Sequence, residues 1–143
     1  MNIQQNVSEF IARKKAGMHA LLLHWAGTLE SEAKQNAEWK DRLAHARQGI
    51  HSGVDTGANK FILYLAHGMR YGQYLEEGTG VHGPHKKPFV IRPKNKKALF
   101  WKGLPHPVKK VTIQGMKARP IIKPTIEANM EKIGKSVVEY WRD

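Results

Sequence analysis

The sequence contains no cysteine, which excludes disulfide scaffolds, thiol catalysis, cysteine-ligated iron–sulfur clusters and every thiolate zinc site. No stretch approaches about 18 consecutive apolar residues, so nothing reads as a membrane-spanning helix. The opening MNIQQNVSEFIARKK lacks the basic and apolar regions of a secretory signal. The expectation is a soluble protein made in the cytoplasm, with no membrane partner. Only Ser8, Ser31, Ser52 and Ser136 could supply a serine nucleophile, and none sits in a GxSxG elbow. HExxH and the lysine-ended glycine-rich phosphate loop are absent too. The most telling gap is one of charge: residues 78–126 hold no Asp or Glu at all.

That span carries twelve basic residues, from Lys86 to Lys123, while the rest of the chain balances its charges, so one segment owns the whole net charge of +12. Projected to one side of a fold, it would present a positive field suited to phosphate backbones or to an acidic protein surface. A lysine-rich surface that only keeps the protein soluble accounts for the charge equally well. The remaining composition is globular: 143 residues with 41% apolar, enough for one domain that buries about 68% of its unfolded surface. We read residues 1–143 as a single domain.

Val7, Phe10, Ile11, Met18, Leu21, Leu22, Trp25 and Leu29 recur at helical spacing, which predicts a long amphipathic helix over residues 3–36. Glu30 and Lys34 fall on its exposed face. A second short helix is expected from Trp39 to Gln48, stopped by Gly49. Ile50 to Val54 reads as a strand, and Lys60 to Gly68 as a strand covered on both faces, central in a sheet. Arg70 to Glu77 predicts two helical turns packing Tyr71, Tyr74 and Leu75 on the sheet. The glycines after it predict a long, mobile loop to Pro88. Phe89 to Arg92 and Val108 to Met116 read as strands, with helical turns at Lys94 to Lys102 whose Phe100 and Trp101 lie buried. From residue 124 to 142, Ile126, Met130, Ile133, Val137 and Trp141 predict a closing helix with that face inward. The fold class is α+β: a small, mostly antiparallel sheet, with a long N-terminal helix and a C-terminal helix packed on it.

The arrangements that could carry chemistry fall short in context. His82 and His85 flank Gly83 and Pro84 in a loop, with no carboxylate to complete a metal set. Glu76 and Glu77 are adjacent, so on a helix they diverge by about 100° and form no facing acid/base pair. Gly78, Gly80 and Gly83 match the bare GxGxxG spacing, but helical turns precede them, prolines follow, and the acid that binds ribose has no candidate downstream. Tyr71 and Tyr74 beside the basic span could stack on bases, though packing of a short helix explains them more simply. The sequence therefore reads as non-enzymatic, with no cofactor, no metal and no small-molecule substrate.

Three segments in fixed order resemble one family. Trp39 to Ile50 is similar to a region with a W-x-D-R-T-G-like turn through Trp39 and Arg42, with Leu43 and Ala44 where the family often has Thr-Gly. Tyr71 to Thr79 is similar to a Y-x-x-Y-x-E-x-G-T motif built on Tyr71, Tyr74, Glu76, Gly78 and Thr79, and Gly115 to Pro120 to G-x-x-A-R-P through Gly115, Arg119 and Pro120. Ile91-Arg-Pro93 and Lys97 to Trp101 resemble the connecting element between them. The family is that of tail components of tailed bacteriophages, the head–tail joining or tail-completion proteins. The resemblance implies a virion morphogenesis protein at the neck, assembled in the host cytoplasm. It would be a homo-oligomeric ring subunit of sixfold symmetry that contacts neighbouring tail and head-completion proteins. On that reading Lys86, Lys87, Lys94, Lys96 and Lys97 face either passing DNA or an acidic neighbouring ring. The alternative is a small basic nucleic-acid-binding protein.

Overall fold

The computed structural model describes residues 2–39 and 45–143; Arg42, one of the motif residues, lies outside them. The elements are α1 (Ile3–Asn36), α2 (His45–Gln48), β1 (Ile50–Thr56), β2 (Phe61–His67), α3 (Gly72–Glu77), a 3₁₀ turn (Gly80–His82), β3 (Phe89–Ile91), β4 (Val111–Ile113) and α4 (Ile122–Arg142). This is an α+β protein whose strands form two separate antiparallel pairs, β1–β2 and β3–β4. The chain divides into two compact units. Unit 1 joins the residues up to Arg70 with Ile121–Asp143, and unit 2 is Tyr71–Pro120.

Unit 1 is built on α1. Asn2 caps it with a reciprocal box: the Asn2 side chain accepts from the Gln4 amide, and the Gln5 side chain accepts from the Asn2 amide at 3.2 Å. Its core stripe is Met18, Leu22, Ala26, Leu29 and Ala33, where the alanines let neighbouring elements approach closely. At the far end Arg47 folds back and donates to the carbonyls of Lys34, Ala37 (3.1 Å) and Trp39 (3.4 Å). The carbonyls of Lys34 and Ala37 are among the orphan acceptors that a helix leaves at its C-terminus, and Trp39 lies two residues past the C-cap. Trp39 is buried and lies 6.0 Å from the His67 ring.

β1 and β2 pair from Ile50↔His67 to Thr56↔Phe61. The face bearing Ile50, Ser52, Leu63 and Leu65 turns to α1, with Ile50 and Leu65 buried. The expectation that β2 is a central strand covered on both faces is corrected. Among the described residues it has one partner, β1, and its outer face leaves Ile62 44% exposed. Apolar residues on both faces had suggested a buried strand, but the outer Tyr64 is laid flat across Gly53, where a side chain would collide with its ring, and beside His51.

Glu30 and Lys34 are not on an open face either. Glu30 accepts from Lys34 Nζ at 2.6 Å, and from the amide (3.1 Å) and hydroxyl (2.9 Å) of Ser52, so it ties β1 to α1. The Lys34 hydrogen bond holds the Glu30 carboxyl below its ordinary value, against burial, which pushes it up; the Ser52 donors add to the lowering. A folded-state pKa below the unfolded one gives stability that is complete above the ordinary value of 4.5 and is lost as pH falls through the lowered one. Thermal unfolding from about pH 7 to about pH 3 should therefore show an acid-limb loss of Tm that Glu30→Gln diminishes. An identical acid limb in the variant would refute this.

α4 packs antiparallel on α1, rotated from the face its apolar pattern suggests. Thr125 and Asn129 are buried, whereas Met130 and Trp141 are 59% and 48% exposed. Polar pairs make the seam. Asn129 Nδ2 donates to Glu32 at 2.9 Å, Trp25 Nε1 to Ser136 Oγ at 3.1 Å, and Tyr140 OH to the Lys14 carbonyl at 2.8 Å. Gly17 leaves room for the Tyr140 ring, which a side chain there would strike. Buried polar groups with partners cost little, so hydrogen-bond matching has set this register: Ile126, Ile133 and Val137 of the apolar stripe are half-buried, while Met130 and Trp141 are left outside.

Both elements that cover α1 stop at the same level. α4 reaches Lys14 through Tyr140, and the β1–β2 hairpin reaches Lys15, whose Nζ donates to Ala58 O at 2.6 Å and Asn59 Oδ1 at 3.2 Å. Beyond them three turns of α1, about 16 Å, continue the core stripe with nothing among the described residues of unit 1 to cover it. Ile3, Val7, Phe10 and Ile11 are between 45% and 78% exposed.

Candidate functional site

Unit 2 brings together motif residues that lie 37 positions apart. α3 ends at Gly78, which takes a positive φ of 78° and donates to the Tyr74 carbonyl at 2.9 Å. The following backbone zips onto the segment before Pro120. Thr79 N–H donates to Met116 O at 2.9 Å and Val81 N–H to Gln114 O at 2.8 Å, while Met116 N–H donates to Thr79 Oγ1 at 2.9 Å. Arg119 N–H closes the clasp on the Leu75 carbonyl at 2.6 Å.

Two glycines make this approach possible. Gly80 and Gly115 have φ of 61° and 107°. A Cβ on Gly80 would collide with the Gln114 carbonyl, and one on Gly115 with the Thr79 carbonyl. The GxGxxG spacing is thus explained by backbone packing, and the loop expected to be mobile is pinned. Lys86 sits in its last turn at φ 50°, an uncommon conformation for a residue with a side chain.

The tyrosines do not pack inward as expected: Tyr71 and Tyr74 are 41% and 56% exposed. Tyr74 instead lines a cleft of about 610 Å³ with Phe89, Pro84 and Pro88, where Glu77, His85 and Lys87 supply the polar edge. Glu77 accepts from Gln73 Nε2 at 3.3 Å, and Glu76 is half-buried. Among the described residues no group of three or more His, Cys, Asp and Glu is placed to hold a metal, and no helix is long and apolar enough to cross a membrane.

The candidate cations all fall in unit 2. It holds eleven basic residues against Glu76 and Glu77, a net +9, and the other unit carries the remaining +3. Lys86, Lys87, Lys94, Lys96 and Lys97 are all exposed. The helical turns expected at Lys94 to Lys102 are not formed. A helix there would set Lys94 and Lys97 one turn apart with no acid to relieve them. The chain instead makes bends and a bridge, Leu99 N–H to Val108 O at 2.7 Å with the return bond at 3.0 Å.

Beyond that bridge Leu104 N–H closes a turn on the Trp101 carbonyl at 3.1 Å, with Gly103 at φ 104°. A positive φ at the third position is what a type II turn requires. Phe100 and Trp101, expected to be buried, stand 65% and 47% exposed. The glycine two places after Trp101 was the sequence signal for that turn. Of the other motif residues, Trp39 belongs to the core of unit 1, and Arg119 is held by its backbone with its side chain exposed. Comparisons with protein-family models, with curated proteins and with solved structures yield no match to this chain.

Proposed function

We propose that the chain is a non-enzymatic bacteriophage morphogenesis protein: a neck ring subunit that completes the tail and joins it to the head through protein contacts. The observation that carries this reading is the overhang of α1, where Ile3, Val7, Phe10 and Ile11 continue a core stripe into solvent. Apolar helical surface of this kind marks an interaction site. Unit 1 also leaves a second stripe, Met130, Val138 and Trp141 on α4. Two different apolar surfaces on one unit suit a heterologous contact, the kind that closes into rings. The convergence of the Tyr71–Thr79 and Gly115–Pro120 motifs in one clasp supports the family resemblance as a matched piece of architecture.

Electron microscopy of particles made without this chain tests the reading. The expected result is separate heads and tails. Wild-type protein added back should join them, and Val7→Asp with Phe10→Asp, both on exposed positions, should not. Joined, infectious particles lacking the chain would overturn it.

A further inference from the structure

The β3–β4 arm, residues 89–113, carries Arg92, Lys94, Lys96, Lys97, Lys102, Lys109 and Lys110 and no acid. All seven are exposed. Among the described residues none of these side chains has an ion-pair or hydrogen-bond partner: the ion pairs lie on α1 and α4. The arm is narrow, three ladder pairs from Phe89↔Ile113 to Ile91↔Val111 and then the Leu99↔Val108 bridge. At its turn the consecutive residues Phe100, Trp101 and Lys102 are all exposed.

We infer that this arm is a sequence-independent binding element for single-stranded nucleic acid, its lysines neutralising phosphates while Phe100 and Trp101 stack on unpaired bases. Three features favour this occupant over an acidic protein. The seven cations are spread along residues 92–110, the connection between β3 and β4, with no acid among them, which fits a polymer of repeated negative charge. Six of the seven are lysines, point charges that bind phosphate without the planar fork by which arginine recognises a partner bidentately. Two exposed aromatic residues consecutive in the chain, amid such charge, offer faces on which unpaired bases stack in single-strand binders. The aromatic role thus falls to Phe100 and Trp101 and not to Tyr71 and Tyr74, which belong to α3 and its N-cap. The inference stands apart from the head–tail reading, because it concerns one arm of unit 2 and a test that needs no virion.

The experiment titrates the full chain with a fluorescent single-stranded oligonucleotide and with its duplex, over a range of salt. The expected result is tighter binding of the single strand, with log affinity falling linearly in log salt. Changing Lys94, Lys96 and Lys97 together to Gln should lower that slope by about 2, since each phosphate contact contributes about 0.7. Changing all three to Arg should preserve it. Trp101→Leu should leave the slope unchanged and weaken single-strand binding about tenfold, the scale of one lost stacked base. Amide exchange of β3 and β4 verifies that each variant stays folded. The inference is overturned by any of four results: no binding near 50 mM salt, a slope indifferent to the Gln variant, equal affinity for duplex, or tighter capture of polyglutamate or of phosphatidylglycerol vesicles by the same lysines.

Discussion

Gly115→Ala should destabilise unit 2 by about 4 kcal/mol or more, the range of changes that break a specific buried contact. Two costs combine. The residue holds φ 107°, and positive φ costs a residue with a side chain about 1–2 kcal/mol. The added methyl would also meet the Thr79 carbonyl and the Gly80 backbone, and neither can move without releasing Thr79 N–H from Met116 and Val81 N–H from Gln114. Gly103→Ala separates the two costs. Gly103 has φ 104°, but nothing stands within 4 Å of where its Cβ would be, so it should lose only the conformational part, about 1–2 kcal/mol. Hydrogen exchange at the amides of Thr79, Val81 and Met116, with equilibrium unfolding of both variants, makes the comparison. If Gly115→Ala proves no more harmful than Gly103→Ala, the clasp is not what holds this unit.

What could be read in advance was whatever repeats. The 3.6-residue spacing of Met18, Leu22 and Leu29 located α1, and the β-rich runs at Ile50 and Phe61 located the hairpin. What escaped was decided by tertiary partners. Hydrophobic pattern alone orients α4 with Met130 and Trp141 inward, whereas its register follows Asn129, Ser136 and Tyr140 to their acceptors and donors on α1. The stripe Ile3, Val7, Phe10 and Ile11 is indistinguishable in sequence from the core stripe that it extends. Only the common stopping point of α4 and the hairpin shows it to be bare. The candidate site divides the same way. The all-positive span was visible in composition, but the turn that exposes Phe100 and Trp101 depends on the Leu99↔Val108 bridge. The glycine motifs were legible as motifs, and their cause, two carbonyls 35 residues apart lying where Cβ atoms would be, required the fold.

Arg47→Met should destabilise unit 1 by about 3 kcal/mol, a loss on the scale of hydrogen bonds to a charged group. Nothing in the sequence singles this residue out: Arg47 lies in the Trp39–Ile50 segment but at none of its motif positions. Its guanidinium reaches three carbonyls, those of Lys34, Ala37 and Trp39, where α1 ends and the chain turns away. Those acceptors have no intrahelical donors, and a cation there also meets the negative end of the helix dipole. Methionine keeps much of the aliphatic stem and removes every donor, so the loss reports the hydrogen bonds more than the packing. Lysine restores the charge but not the planar fork, and Arg47→Lys should recover less than half of the stability. Arg13→Met, at an exposed position on α1, should stay within about 0.5 kcal/mol of wild type. Urea unfolding of the three variants, with amide exchange in the last two turns of α1, distinguishes a cap from an incidental contact. Equal stability of Arg47→Met and Arg13→Met would mean that the end of α1 is held by its buried neighbours Ala33, Ala37 and Trp39 alone, with the carbonyls satisfied by water.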